Sequence, residues 1–439
     1  MLGWNVLAPQ IEPVQREQII NEVTQTFKGR PLAELRQDHE KLFQNTLPLV
    51  RAVVQRMALQ AGEPEIAEVA REVVARVGGL GFLEPLLHVD SGYSEISVNP
   101  DGSIWAVPKG EQDFVRLDLR PNLNDVWRAV EALLAPLGRA CNEASPSVDA
   151  KLPRQDGLPG GARVKVLHPL VAPGDGFPAV SIRLFEPKPV PPEQLIRWEM
   201  APEAIIHALV ESVGKGLRIL VIGGTNSGKT TLLSALCNGI PKSARVLKIE
   251  DPEEIWLDHP HVVTLEARPA QLGTGITPFT LASGVDDAMR MSPRWLIVGE
   301  MRRGDAVSAL FRAQMSDHPG LSTFHAEGPE SAISRLNLLL FNDVGVRAEG
   351  AKEMFVQAID MLVQVGFRLH GDKRRRHIVG IWSVQKTLKA GNVAFTPLYQ
   401  MPGEEIGVRA TAMAHIESLF NGFARREAET GQVLEVQHA

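Results

Sequence analysis

Two cysteines in 439 residues, Cys141 and Cys237, are too few and too far apart for a disulfide framework or a metal knuckle. A disulfide-stapled secreted scaffold is therefore not expected, and a reducing cytoplasmic setting is. Aromatic residues are scarce at 5%, with only 2 tyrosines, and they do not alternate with basic residues as in a channel that stacks bases. Positive charge is not in surplus either: 46 basic against 52 acidic side chains give a net charge of −6, which argues against a surface that grips nucleic acid throughout. No apolar run approaches the ~18 residues of a membrane span. The start, Met1-Leu2-Gly3-Trp4-Asn5-Val6-Leu7, has neither a basic leader nor a long apolar stretch. Membrane association is thus expected only through a partner or a surface patch. Internal repeats and low-complexity tracts are missing too. The length and the 44% apolar content suit two or three globular domains.

Four regions follow from the patterning. Residues 1–80 read as a helical extension; in Glu65–Val77 the residues Ile66, Val69, Val73 and Val77 recur on one helical face, and Gly78-Gly79-Leu80-Gly81 closes the segment. Residues 81–186 read as an α+β domain, with short strands at 95–99, 162–166 and 179–184 and a helix over 124–137. Pro187, Pro189, Pro191 and Pro192 suggest a stiff linker over 187–200. From 201 to 439 helix and strand alternate, with strands near 218–222, 245–249, 262–265, 295–299 and 321–325. That alternation predicts an α/β fold with a mainly parallel sheet and ligands at the carboxyl ends of its strands. A hairpin is expected over 361–384, with the basic run Lys373-Arg374-Arg375-Arg376 as its solvated tip, and Ile416, Phe420 and Phe423 suggest a last amphipathic helix.

The most specific signal is Gly223-Gly224-Thr225-Asn226-Ser227-Gly228-Lys229-Thr230, entered from Ile219-Leu220-Val221-Ile222 and followed by Thr231-Leu232-Leu233. The pattern G-x-x-x-x-G-K-[ST] should arise by chance only about 0.01 times in such a chain, and here it also sits between a strand and a helix. Its glycines let backbone N–H groups and a helix N-terminus approach phosphate oxygens. Lys229 would reach the β- and γ-phosphates and Thr230 would ligate Mg²⁺, so ATP and Mg²⁺ are the expected cofactors. Further carboxylates end later strands: Glu250-Asp251-Pro252-Glu253-Glu254 after one, Glu300 at the close of Trp295-Leu296-Ile297-Val298-Gly299. Of these, Glu253 reads as a solvated acid. His318-Pro319-Gly320-Leu321-Ser322-Thr323-Phe324-His325 ends another strand with a histidine.

In this order and spacing the four segments resemble the Walker A, Asp box, Walker B and His box of the secretion ATPase superfamily, the type II/type IV secretion and pilus traffic ATPases. Ser181-Ile182-Arg183, Glu300-Met301-Arg302-Arg303-Gly304-Asp305 and Gly81-Phe82-Leu83-Glu84-Pro85 with Glu95-Ile96-Ser97-Val98-Asn99 are similar to its CpaF-like branch, which powers tight-adherence pili. The chain departs from the pilus branch where Asp317 precedes His318, which leaves His318 without a role. The resemblance implies an α+β N-terminal domain, a RecA-like ATPase domain, a homohexameric ring and nucleotide held between the domains. By position it implies Glu254 as the group that polarises the attacking water, Glu250 and Glu300 as supports of metal and water, and His325 near the γ-phosphate. Arg163 and Arg183 would bring positive charge to the developing oxyanions across the cleft. The implied partner is an inner-membrane platform protein of a pilus or secretion system, with no nucleic acid. Two other classes stay open: a RecA-like nucleic-acid translocase, and an ATP-switched scaffold with little turnover.

Overall fold

The computed structural model describes residues 11–27, 39–77, 79–154, 158–186, 188–268, 277–370 and 373–401. The chain divides into two compact units at Lys188/Pro189.

In the first unit, α1 (Pro13–Gln25), α2 (His39–Arg56) and α3 (Glu63–Val77) each carry one apolar stripe, such as Ile19 and Val23, Val50 and Val54, or Ile66, Val69 and Val73. Residues three and four apart share a helix face, so the three stripes close on one core. After α4 (Glu84–Leu87) comes a second core beneath a six-stranded sheet. Its strands are β1 (Tyr93–Val98), β2 (Ile104–Pro108), β3 (Val115–Leu117), β4 (Ser147–Leu152), β5 (Ala162–Leu167) and β6 (Ala179–Leu184), in the order β3-β2-β1-β6-β5-β4. All pairs are antiparallel. Side chains alternate between faces along a strand, so Ile96, Val164, Val166 and Ile182 pack with α5 (Leu123–Leu134) and their neighbours fall on the opposite face. Asn122 caps α5 by accepting from the Asp125 N–H at 3.0 Å.

The second unit starts earlier than a linker over 187–200 would allow. Pro192 opens α6 (Pro192–Arg197), where a first helical turn needs no N–H from it, and Val190, Leu195 and Met200 are core residues. After α7 (Glu203–Gly214) come β7 (Ile219–Gly223), α8 (Lys229–Leu236), β8 (Val246–Glu250), β9 (Val262–Glu266), α9 (Leu281–Ala288), β10 (Trp295–Met301), α10 (Gly304–Met315), β11 (Gly320–His325), α11 (Pro329–Val344) and α12 (Ala348–Ala358). The chain then forms β12 (Met361–His370), β13 (Lys373–Val384) and β14 (Phe395–Gln400). The eight strands run β14-β13-β12-β7-β11-β10-β8-β9; all neighbours from β12 to β9 are parallel, and β13 and β14 add antiparallel at one edge. β7 is buried on both faces: Ile219 and Val221 pack toward α7 and α8, Leu220 and Ile222 toward α9 to α12. Such a strand reads as an unbroken apolar run, as it does here.

Beside the hairpin turn Arg374 and Arg375 are exposed, as expected of a solvated tip, and Arg376 is half-buried. The run belongs to β13, paired residue by residue with β12, and two of its arginines are engaged: Arg375 with Glu199 at 2.8 Å and Arg376 with the Asn226 carbonyl at 2.8 Å. The tail residues Ile416, Phe420 and Phe423 lie outside the described residues.

Candidate functional site

The segment after β7 folds as a phosphate loop because its residues permit two left-handed positions, Asn226 at φ 57° and Gly228 at φ 94°, the latter opening α8. A Cβ on Gly223 would lie 2.4 Å from the Val365 carbonyl oxygen and 2.6 Å from Ser227 Oγ, so only glycine lets β7 meet both β12 and the loop. Ser227 Oγ donates to the Gly224 carbonyl at 2.9 Å, and Lys229 Nζ donates to the same oxygen at 2.8 Å. Lys229 is buried, Thr225 is exposed, and Thr230 and Thr231 stand half-buried in the first turn of α8.

Around the loop, the carboxyl ends of parallel strands deliver the other expected groups. His325 ends β11 and is the ladder partner of Gly223. Glu300 lies at the end of β10, where the ladder to β11 shifts register between Val298 and Glu300; the extra residue, Gly299, re-aims the acid. Glu300 Oε1 is 3.9 Å from Lys229 Nζ, and its other oxygen accepts from Arg302 at 2.6 and 2.8 Å. Burial by itself would raise the Glu300 carboxyl, but the hydrogen bonds and charge of Arg302, with Lys229 behind, hold it below the ordinary value. His325 is shifted down, first by burial and then by the charges of Lys229 and Arg335, so it is neutral at pH 7.

The acids after β8 divide in two. Glu250 does not stand open to a metal: it is 2% exposed and accepts from the backbone N–H of Glu254 at 3.2 Å and of Ile255 at 3.0 Å. Lys248, equally buried, pairs with Glu250 at 3.1 Å and Glu253 at 2.9 Å and also donates to the Ile255 carbonyl. Burial pushes the Glu250 carboxyl up, with Lys248 pulling it back. Glu253, expected in solvent, is thus drawn inward by a buried cation. Glu254 is half-buried, its backbone held by Glu250.

His318 falls outside this constellation. It precedes β11, at the opposite end of the strand from His325, and its Nδ1 lies 3.2 Å from the Ala313 carbonyl. Arg163 and Arg183, in the first unit, are direct cross-strand partners on β5 and β6, in one row with Glu95 and Lys151; Arg163 is 3.7 Å from Asp149. The sequence reading left three contributors unassigned: Lys248, Arg302 and Arg376. A lysine inside the apolar run Val246-Leu247-Lys248-Ile249 was the visible signal for the first, and Arg302 stands two residues from Glu300. Nothing local marked Arg376, which meets the loop only through the sheet.

The residues that could hold a polyphosphate are the loop backbone from Gly224 to Thr230, the Lys229 ammonium and the Thr230 hydroxyl. Among the described residues no group of three or more His, Cys, Asp or Glu could hold a metal ion, so a Mg²⁺ here would depend on Thr230, phosphate oxygens and water. A phosphate loop at the end of a central parallel strand, with a histidine closing the next strand and acids near the ends of the two beyond it, defines the class of P-loop α/β proteins. Within that class the profile of the family described as Type II/IV secretion system protein matches residues 79–365, and the chain belongs to that family. A protein of Mycobacterium tuberculosis named for conjugal transfer is 31% identical over 280 residues, 63% of this chain and 78% of that one. Protein VirB11 of Agrobacterium fabrum is 35% identical over 178 residues, 39% of this chain and 48% of that one. Among solved structures, the pilus retraction motor PilT with bound ADP aligns with TM-score 0.50 at 17% identity, over 77% of this chain and 89% of that one, a likeness of fold. The secretion ATPase superfamily and its RecA-like α/β architecture, implied by the motifs, are thereby established for this chain. Among the described residues no helix is long and apolar enough to cross a membrane.

Proposed function

We propose that this chain is a cytoplasmic ATPase that assembles as a homohexamer and drives a secretion or pilus machine through an inner-membrane platform protein, in the manner of the CpaF-like tight-adherence branch. The observation that carries the reading is the convergence of Lys229, Glu300 and His325 on the phosphate loop at the carboxyl ends of β7, β10 and β11. Bound Mg²⁺-ATP would supply the phosphoryl group to be transferred and metal charge on its oxygens.

The chain's own residues do the rest. Loop N–H groups and Lys229 neutralise phosphate oxygens, and Thr230 offers its hydroxyl to the metal. Glu300, whose carboxyl Arg302 and Lys229 hold below its ordinary value against burial, accepts hydrogen bonds and supports metal and water. By the position the resemblance assigns, the general-base role goes to Glu254, whose backbone N–H donates to Glu250. Neutral His325 orients the γ-phosphate region without adding charge. Arg163 and Arg183, at the positions the resemblance assigns, bring positive charge to the developing oxyanions.

The test is phosphate release by wild type and Lys229→Ala, with oligomeric state followed by light scattering. Mg²⁺-dependent turnover by a hexamer, lost in Lys229→Ala, is expected. Equal turnover by a folded Lys229→Ala protein would refute the ATPase reading. Salt-sensitive oligonucleotide binding that speeds hydrolysis several-fold would replace the secretion motor by a nucleic-acid translocase.

A further inference from the structure

We infer that Arg376 is a positioning residue of the phosphate loop, bracing the Asn226 peptide from outside so that the following N–H faces the phosphates. The inference rests on the ATP-binding reading above and adds a residue that the loop motif does not contain.

The C=O of one residue and the N–H of the next belong to a single planar trans peptide and point in opposite directions. Arg376 Nε donates to the Asn226 carbonyl at 2.8 Å, which turns the Ser227 N–H away from β13. The same logic applies to Gly224, whose carbonyl is held by Ser227 Oγ and Lys229 Nζ and whose anchoring orients the Thr225 N–H. These two anchors differ in one respect. Lys229 is needed by the phosphates and must release Gly224 to serve them, whereas Arg376 can stay in place throughout. Asn226 sits in the left-handed region at φ 57°, which asparagine tolerates better than most residues with a Cβ, and the arginine fixes the direction of its carbonyl there.

The strand that carries the brace is held on both sides. Arg376 is the ladder partner of Phe367, the Ile378 N–H donates to the Met200 carbonyl at 2.8 Å, and Arg375 pairs with Glu199. Its aliphatic stem runs beside Gly228, where an added Cβ would lie 3.3 Å from Arg376 Cδ. The second loop glycine therefore serves the arginine as well as the turn.

Two variants separate the hydrogen bond from the charge. In Arg376→Gln the side-chain amide nitrogen occupies the place of Arg Nε, keeping the donor and removing the charge; Arg376→Met keeps the stem and removes both. Affinity for a fluorescent ribose-labelled ATP, measured with EDTA and with Mg²⁺, should fall about tenfold in Arg376→Met and by no more than about twofold in Arg376→Gln. At saturating ATP, kcat should stay within about twofold for both, so that the loss appears in KM. Wild-type affinity in Arg376→Met would overturn the inference. So would an equal loss in both variants, which would assign the effect to charge, or a lowered melting temperature with unchanged affinity, the sign of a merely structural contact. Lys229→Ala in the same titration separates the two levels. If wild type binds no ATP the nucleotide reading fails; if wild type binds and Lys229→Ala does not, the Arg376 variants judge the brace alone.

Discussion

Adjacent glycines in the phosphate loop should respond oppositely to the same methyl group. At Gly223 an added Cβ meets the Val365 carbonyl oxygen at 2.4 Å, Ser227 Oγ at 2.6 Å and Val365 Cγ2 at 2.8 Å. The first of these is backbone in the neighbouring strand, so a rotamer change gives no relief and the ladder between β7 and β12 must spread. Overpacking of this kind costs about 1–3 kcal/mol, and an immovable carbonyl puts Gly223→Ala near the upper end. For a unit of this size, where 1 kcal/mol moves the midpoint by about 2–4 °C, the melting temperature should fall by about 5–10 °C. At Gly224 an added Cβ meets nothing within 4 Å and φ lies outside the left-handed region, so Gly224→Ala should stay within about 0.5 kcal/mol or gain slightly from a stiffer unfolded chain. Circular-dichroism melts give the stability, and titration with labelled ATP gives the affinity. Gly223→Ala should weaken nucleotide binding at least about tenfold, since the spread displaces the loop, and Gly224→Ala by no more than about threefold. Equal losses, or the reverse order, would refute the steric account.

Other perturbations discriminate roles around the loop. Glu254→Gln and Glu300→Gln should keep ATP binding and slow phosphate release, Glu254→Gln by about 10²-fold or more; wild-type rates for Glu254→Gln would move the base elsewhere in the acid cluster. Lys248→Met leaves Glu250 buried without its cation and should destabilise by about 3 kcal/mol in urea unfolding, with unchanged stability the refuting result. Asp360 accepts from the Arg218 guanidinium at 2.7 and 2.8 Å and pairs with Lys386; burial alone would raise its carboxyl, but these partners bring it down from 3.8 to about 2. A lowered carboxylate stabilises above its unfolded value and loses that contribution as pH falls through the folded one. The stability gap between wild type and Asp360→Asn, about 2 kcal/mol at neutral pH, should therefore shrink between pH 4 and 2; a constant gap across that window would contradict the assignment.

The parts of the site that were legible in the sequence are those whose meaning is local. Strand, loop and helix from Ile219 to Leu236 follow one another without interruption, and a run with both faces buried has no other reading once glycine and lysine follow it. The strands at 246–250, 295–301 and 320–325 were visible for the same reason. By contrast β2, β3, β4 and β14 are short or lie toward sheet edges, and half-polar segments of that kind resemble loops. His318 and His325 looked like one box because they are close in sequence, but an extended strand carries them to opposite ends of the sheet. Glu253 looked solvated because its partner, Lys248, is a buried cation in a strand, and burial of a lysine is a property of the assembled sheet. The sequence could show Arg374, Arg375 and Arg376 as a charge run; only strand register decides that one of them reaches Asn226.

The place of β7 in the sheet has a consequence for the growing chain. Its ladder neighbours, β11 and β12, are made much later: the Val365 carbonyl that nests against Gly223 emerges roughly 140 residues afterwards, or roughly 10–30 s at common ribosomal speeds. Until β11 is made, roughly 100 residues on, five consecutive residues destined for the interior have no partner strand. A fragment released before β12 would contain every residue of the nucleotide motif and still lack the wall that shapes it. The phosphate loop can take its final shape only once β12 is made, so that shape is acquired late.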